Sequence, residues 1–266
     1  MRHDSSRAPA AAPVHLSEVA WRPMGSAADV LAGVSLTLNA GERLSLVGRS
    51  GCGKTTLLRL IAGLLPQSQG SIAIGMAEID QRRAAQCALA SQTDTLLPWA
   101  RLDDNVGLGL RAAGASRAAA RRQAAAALDR WGLGGRRSAR PDELSGGMRQ
   151  RAQLMRALLS ERPVLLADEP FGALDAITRS AARRWMREVL DDLGTTLVLV
   201  THDIEEALLM GDRVLVLGGA PAQIVLERDG WGRAGVDDDD LIAEPSFVRA
   251  RRDLIAAIAE DSACAA

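Results

Sequence analysis

Apolar and polar positions alternate in two different ways along the chain. VSLTLN (34–39) alternates strictly, which predicts a half-exposed strand, whereas RLSLVG (43–48) predicts a more buried one. VLLAD (164–168) and TLVLVT (196–201) are continuous apolar runs of strand length, the pattern of strands covered on both faces. RVLVLG (213–218) and QIVLE (223–227) predict two further strands, and SIAIG (71–75) and CALAS (87–91) two short ones. Between these runs the period changes. Leu57, Leu58, Leu60 and Ile61 recur at helical spacing after Lys54, and a helix is expected over about 178–193. From Leu102 to Trp131 the chain is rich in Ala, Arg and Leu and poor in β-branched residues, which favours helix. Strands alternating with helices predict an α/β fold, a mostly parallel sheet wrapped by helices, with a helical insertion in the middle.

The ends differ from this core. Residues 1–14 are expected to be a loose tail, and the run DDDD (237–240) a solvated turn before a last helix over about 246–260. No internal repeat is evident. With 266 residues the chain suits one α/β domain with subdomains. Hydrophobic residues make up 47% and charged residues 24%, a globular rather than a disordered composition. A net charge of −1 gives no global field for nucleic acid. Cys52, Cys87 and Cys264 have no zinc-like or disulfide-framework spacing, and an odd count fits a reducing compartment. Neither a signal peptide nor an apolar run of about 18 residues is present, so a membrane role would be peripheral.

Chemistry concentrates in a few segments. GRSGCGKT (48–55) matches the phosphate-loop pattern, with a buried strand before it and an amphipathic helix after it. Gly48, Gly51 and Gly53 let the backbone turn its N–H groups inward, and the helix start adds its positive dipole end. Arg49, Ser50, Cys52 and Thr56 complete the candidate cradle. Lys54 would reach the β/γ-phosphates of ATP, and the Thr55 hydroxyl would take a Mg²⁺ position. In VLLADEP (164–170) a strand ends in two carboxylates: Asp168 would hold Mg²⁺ and Glu169 would polarise the attacking water.

LSGGMRQR (144–151) places Ser145, Gly146 and Gly147 before a helical run, which makes either a second anion site or a plain helix cap. One nucleotide does not need two such sites in one chain, which favours a head-to-tail homodimer. Gln92, Asp175 and His202 each have a plainer alternative: a polar strand end, a helix cap and a hydrogen-bonded histidine.

In their order, the phosphate loop, Gln92, LSGGM, VLLADEP, GALD (172–175) and TH (201–202) resemble the ABC ATPase family over roughly residues 15–230. The resemblance implies a P-loop cassette with an antiparallel β subdomain and a helical subdomain at about 93–160, the ATPase domain spanning 15–235 and a C-terminal turn and helix 236–266. It implies that Gln92 joins Mg²⁺ to the helical subdomain, that Asp175 lies at a dimer seam, and that His202 contacts the γ-phosphate. Trp21 is similar in place to the family's adenine-stacking aromatic, with simple packing as the alternative. Met148 departs from the commonest LSGGQ form.

TLLPWARLDDNVGLGL (95–110) and FGALDAITR (171–179) resemble the importer branch for nitrate, sulfonate and taurine. That implies an integral membrane permease as partner, a periplasmic or lipid-anchored solute-binding protein acting indirectly, no nucleic acid, and a place on the cytoplasmic face of the inner membrane. An exposed Leu97-Pro98-Trp99 would suit docking of a permease helix; packing under its own loop is the alternative. The short segment before Gln92 and Ser91 in place of an aromatic leave thiamine-precursor pyrimidines open as solutes. A non-transport ABC ATPase acting on nucleic acid or ribosomes is the competing class.

Overall fold

The computed structural model describes residues 10–233, 235 and 237–264, so most of the expected N-terminal tail lies outside the described residues. The chain opens on β1 (Val14–Trp21) and β2 (Leu31–Leu38), then β3 (Arg43–Val47), α1 (Lys54–Ile61), β4 (Gln69–Ile74), α2 (Asp80–Gln86) and β5 (Cys87–Ala90). Four helices follow: α3 (Leu102–Val106), α4 (Leu108–Ala112), α5 (Arg117–Arg130) and α6 (Gly146–Leu158). The chain then runs through β6 (Val164–Asp168), α7 (Ala176–Leu193), β7 (Thr196–Val200), α8 (Ile204–Met210), β8 (Arg213–Gly218), β9 (Gln223–Asp229), α9 (Asp238–Ala243) and α10 (Pro245–Cys264).

Two sheets form. The larger has the order β5-β6-β7-β3-β8-β9, parallel except where β9 pairs antiparallel with β8. Its central strands β3, β6 and β7 are buried at every position, which explains why their sequences are continuous apolar runs rather than alternating ones. The smaller sheet, β2-β1-β4, is antiparallel and packs its apolar face with α1 and β3 in one core. A second core joins α3, α5 and α6 to β6 and α7 through Leu102, Val106, Leu128, Leu154 and Met186.

Strand order positions the functional residues. β7 lies between β6 and β3, with Asp168 opposite Val200 and Leu46 opposite Val200 in the two registers. The carboxyl ends of all three strands therefore meet at one edge of the sheet, where loops in parallel α/β folds carry ligands.

The acidic run differs from its expectation. Asp237 caps α9 through Asp239 N–H, and Asp238 is buried against Arg183 and Arg187 of α7. Two guanidiniums satisfy a charge that the sequence read as solvated, and carboxylates in a first turn suit the helix dipole. No helix among the described residues is long and apolar enough to cross a membrane.

Candidate functional site

Between the end of β3 and the start of α1 the backbone turns through Gly48 (φ 153°), Gly51 (φ 80°) and Gly53 (φ 105°). A Cβ on Gly48 would lie 2.3 Å from the Leu217 carbonyl oxygen, and one on Gly53 would meet Leu31 at 2.9 Å. Glycine is therefore required here by close approach as well as by conformation. Lys54 folds back over this loop and its Nζ donates to the Gly48 and Arg49 carbonyls, at 2.7 Å each. The cation is thus held at the centre of the turn.

Across the loop, the Thr55 hydroxyl donates to Asp168 Oδ2 at 2.8 Å. Asp168 Oδ1 is buried without a partner, and burial pushes the carboxyl above its ordinary range against the opposing pull of Thr55, Arg59 and Lys54. Glu169 follows with φ 52°, a left-handed conformation that costs a non-glycine residue roughly 1–2 kcal/mol. Three contacts hold it there. Its N–H donates to the Val200 carbonyl, its carbonyl accepts from Gln150 Nε2, and its Oε2 accepts from His202 Nδ1 at 2.6 Å. The Glu169 side chain is 13% exposed and that of His202 73%, so the pair projects from a buried base toward solvent.

Ser50, Gly51, Gly53, Lys54, Thr55, Thr56, Gln92, Asp168, Glu169 and His202 line one cleft of about 320 Å³. The expected site residues thus converge from four separate segments, with three kinds of exception. Arg49 turns away, its guanidinium toward the Asp261 carbonyl of α10, and Cys52 packs against the β2 core. Trp21 is half-buried at the end of β1, packed with the same core; its partner Leu31 lies on Gly53, one residue pair removed from the loop.

Ser145, Gly146, Gly147 and Asp175 do not line this cleft. The Ser145 hydroxyl accepts from Met148 N–H and the Asp175 carboxylate from Thr178 N–H, so both cap their own helices. These two segments sit side by side, since a Cβ on Gly147 would come within 3.1 Å of Leu174. Gln150 was not foreseen. It bridges α6 to the carboxylate turn, donating to Glu169 O at 2.8 Å and accepting from Ala173 N–H at 2.9 Å. Its place inside LSGGMRQR was the available signal.

Trp99 is 72% exposed and, with Leu97, Arg101, Asp104 and Arg111, lines a separate surface groove. Leu96, not Leu97, carries the packing of this segment into the core.

The ABC transporter family model matches residues 31–172. The chain is 48% identical over 189 residues to an aliphatic sulfonates import ATP-binding protein, SsuB 2, of Xanthomonas axonopodis pv. citri (strain 306), covering 71% of this chain but 62% of that one. It is 39% identical over 236 residues to the taurine import ATP-binding protein TauB of Escherichia coli O157:H7, covering 87% and 92%. The ATP-binding cassette MJ0796, solved as a dimer in a post-hydrolysis state bound to ADP and Pi, superposes with a TM-score of 0.75 at 29% identity, over 81% of this chain and 98% of that one. The order of motifs, the sheet they end on and these likenesses agree: the chain belongs to the ABC transporter family, and its fold is that family's nucleotide-binding cassette.

Proposed function

We propose that this chain hydrolyses ATP as a head-to-tail homodimer and so drives uptake of a small sulfonate-like solute, taurine included, through a separate integral membrane permease. The observation that carries the reading is the cleft itself, where a looped-back lysine, a hydroxyl–carboxylate pair and a carboxylate–imidazole pair meet at one sheet edge. Lys54 and the N–H groups of the loop offer charge and donors to the β- and γ-phosphates. Glu169 accepts a proton from the attacking water, and His202, hydrogen-bonded to it, stands at the open side of the cleft where the γ-phosphate would lie. Trp21 is the candidate platform for the adenine.

A Mg²⁺ ion fits the donor set. The unpartnered Asp168 Oδ1, the Thr55 hydroxyl and the Gln92 side-chain amide offer hard oxygen donors from residues that line the cleft. Bound there, the ion would neutralise phosphate charge as the bond to the γ-phosphoryl group breaks.

Two observations favour the dimer. The Ser145–Gly147 segment forms a helix N-terminus that reaches no nucleotide cleft in its own chain, and a dimeric cassette is the structural neighbour. Facing a second copy, Ser145, Gly146 and Gly147 would cap the γ-phosphate on the partner's loop, with Asp175 at the seam. The groove beside Trp99 would take the permease, and the chain would then sit on the cytoplasmic face of the inner membrane, with a periplasmic or lipid-anchored solute-binding protein acting indirectly across it. The names of the relatives support the sulfonate class.

Glu169→Gln tests the hydrolytic core. It keeps size and shape but removes the proton acceptor, so turnover should fall on the order of 10²–10⁴-fold while ATP still binds. Wild-type turnover in that variant would refute the reading.

A further inference from the structure

The turn after β6 carries a strained residue and a reactive one at the same position. Glu169 takes φ 52°, and Pro170 after it has no N–H with which to anchor the chain. Such a conformation persists only where the surroundings fix it from several sides. Before the residue, Glu169 N–H donates to the Val200 carbonyl of β7 at 2.9 Å. After it, the Glu169 carbonyl accepts from Gly172 N–H at 3.3 Å, a long bond within the turn itself, and from Gln150 Nε2 at 2.8 Å. The shorter bond is the one that comes from another element, α6. The same amide accepts from Ala173 N–H through Oε1 at 2.9 Å. One side chain thus spans the turn, donating to Glu169 at one end and accepting from Ala173 at the other. Its base is firm, since Ala152, Leu154 and Met155 of α6 share a core with Phe171 and Leu174 of the turn.

We propose that Gln150 is a positioning residue for hydrolysis: its amide holds the Glu169 main chain from α6 and so sets where the Glu169 carboxylate stands in the cleft. This rests on the role given above to Glu169 as proton acceptor. Gln150 is not among the residues that line the cleft, so it acts through Glu169 and not on the nucleotide. A backbone rotation of about 15–20°, the ordinary scatter of a dihedral, moves a carboxylate at the end of its side chain by about 1 Å. Misplacement of that size can cost on the order of a hundredfold in rate.

The clamp is separable from the fold. Gly172 and Ala173 are exposed, so water can reach the Ala173 N–H when the amide is removed, and Glu169 O keeps its bond from Gly172. Phe171 and Leu174 still anchor the turn in the core.

The test is steady-state ATP hydrolysis by the full chain for wild type, Gln150→Glu and Gln150→Leu. ATP affinity and stoichiometry are read by calorimetry without Mg²⁺, and Tm by thermal melting. Glutamate is isosteric and keeps the acceptor for Ala173 N–H, but it sets an oxygen against the Glu169 carbonyl. Leucine loses both bonds. In each variant kcat should fall at least about tenfold, with ATP affinity and the amount of ATP bound per chain as in wild type. Tm should fall by no more than about 5 °C. A role in folding alone would instead reduce the bound ATP along with the rate. Wild-type kcat in either folded variant, or a fall in kcat matched by lost ATP binding in both, overturns the proposal. Glu169→Gln run alongside separates the two ideas. Wild-type turnover there defeats the hydrolytic reading, whereas an inactive Glu169→Gln beside a fully active Gln150→Leu leaves that reading standing and defeats the positioning role alone.

Discussion

Glu206, buried in the first turn of α8 with Oε1 unpartnered, makes a prediction about folding that needs no nucleotide. Burial in the folded chain pushes its carboxyl up from the ordinary 4.5 to about 7. Because the folded state holds this proton more tightly, the stability the group contributes is fully present below about pH 4.5. It is lost as pH rises from there toward 7, and no further loss follows above 7. At about 1.4 kcal/mol per tenfold change in proton affinity, the loss is roughly 3 kcal/mol. Glu206→Gln cannot ionise and escapes it. Its amide adds one buried donor without an acceptor, which costs about 1 kcal/mol, leaving a net gain of roughly 2 kcal/mol at pH 8. For a chain of this size that is on the order of 5–10 °C in Tm. The assay is thermal melting of nucleotide-free wild type and variant at pH 5, 6, 7 and 8. All other carboxylates titrate in both proteins, so the difference between the curves isolates this one group. A gap that opens from near zero at pH 5 supports the reasoning. Parallel curves, or a variant less stable at pH 8, would refute it.

Lys54→Ala deletes the cation held over the loop and should weaken ATP binding itself; unchanged affinity by calorimetry would count against the cradle. Trp21→Ala should raise KM for ATP with little change in kcat, by the roughly 1–3 kcal/mol of one stacking contact, and ATP-induced quenching of Trp fluorescence that survives it unchanged would return Trp21 to packing. Trp99→Ala removes a side chain that is 72% exposed, so roughly 70 Å² of burial and less than about 2 kcal/mol of folding stability are at stake, against 3–5 for a core Trp. The chain should stay folded and bind ATP yet assemble poorly with its permease, and normal transport by the mutant complex would defeat the docking role.

What the sequence made legible follows from how each element is covered. β3, β6 and β7 are sandwiched, so their apolar runs are unbroken and their ends, where the chemistry lies, could be placed from pattern alone. β1 escaped because its pairing is interrupted. Register shifts between Leu16 and Val19 and between Val19 and Trp21, with Glu18 at φ 49°, break the period of two on which strand reading depends. α2 escaped for a different reason: its buried side chain is Arg83, whose guanidinium satisfies the Ile72, Glu78 and Leu60 carbonyls and so reads as surface charge.

The same blindness hid Glu206. IEE at 204–206 looks like two solvated acids favouring a helix N-terminus, and for Glu205, which pairs with Arg251 at 3.2 Å, that is right. Sequence period cannot say that its neighbour turns inward, because the turn is fixed by Thr201 and Asp203, two residues that pattern treats as loop chemistry. Motif reading located the groups that face a phosphate, since backbone N–H donors and glycines constrain spacing. It could not locate the groups that hold those groups still. Gln150 behind Glu169 is of this second kind: it bridges α6 to the carboxylate turn and does not line the cleft. Its effect should accordingly appear in kcat and leave the affinity for ATP alone, which is the signature by which support and contact are told apart.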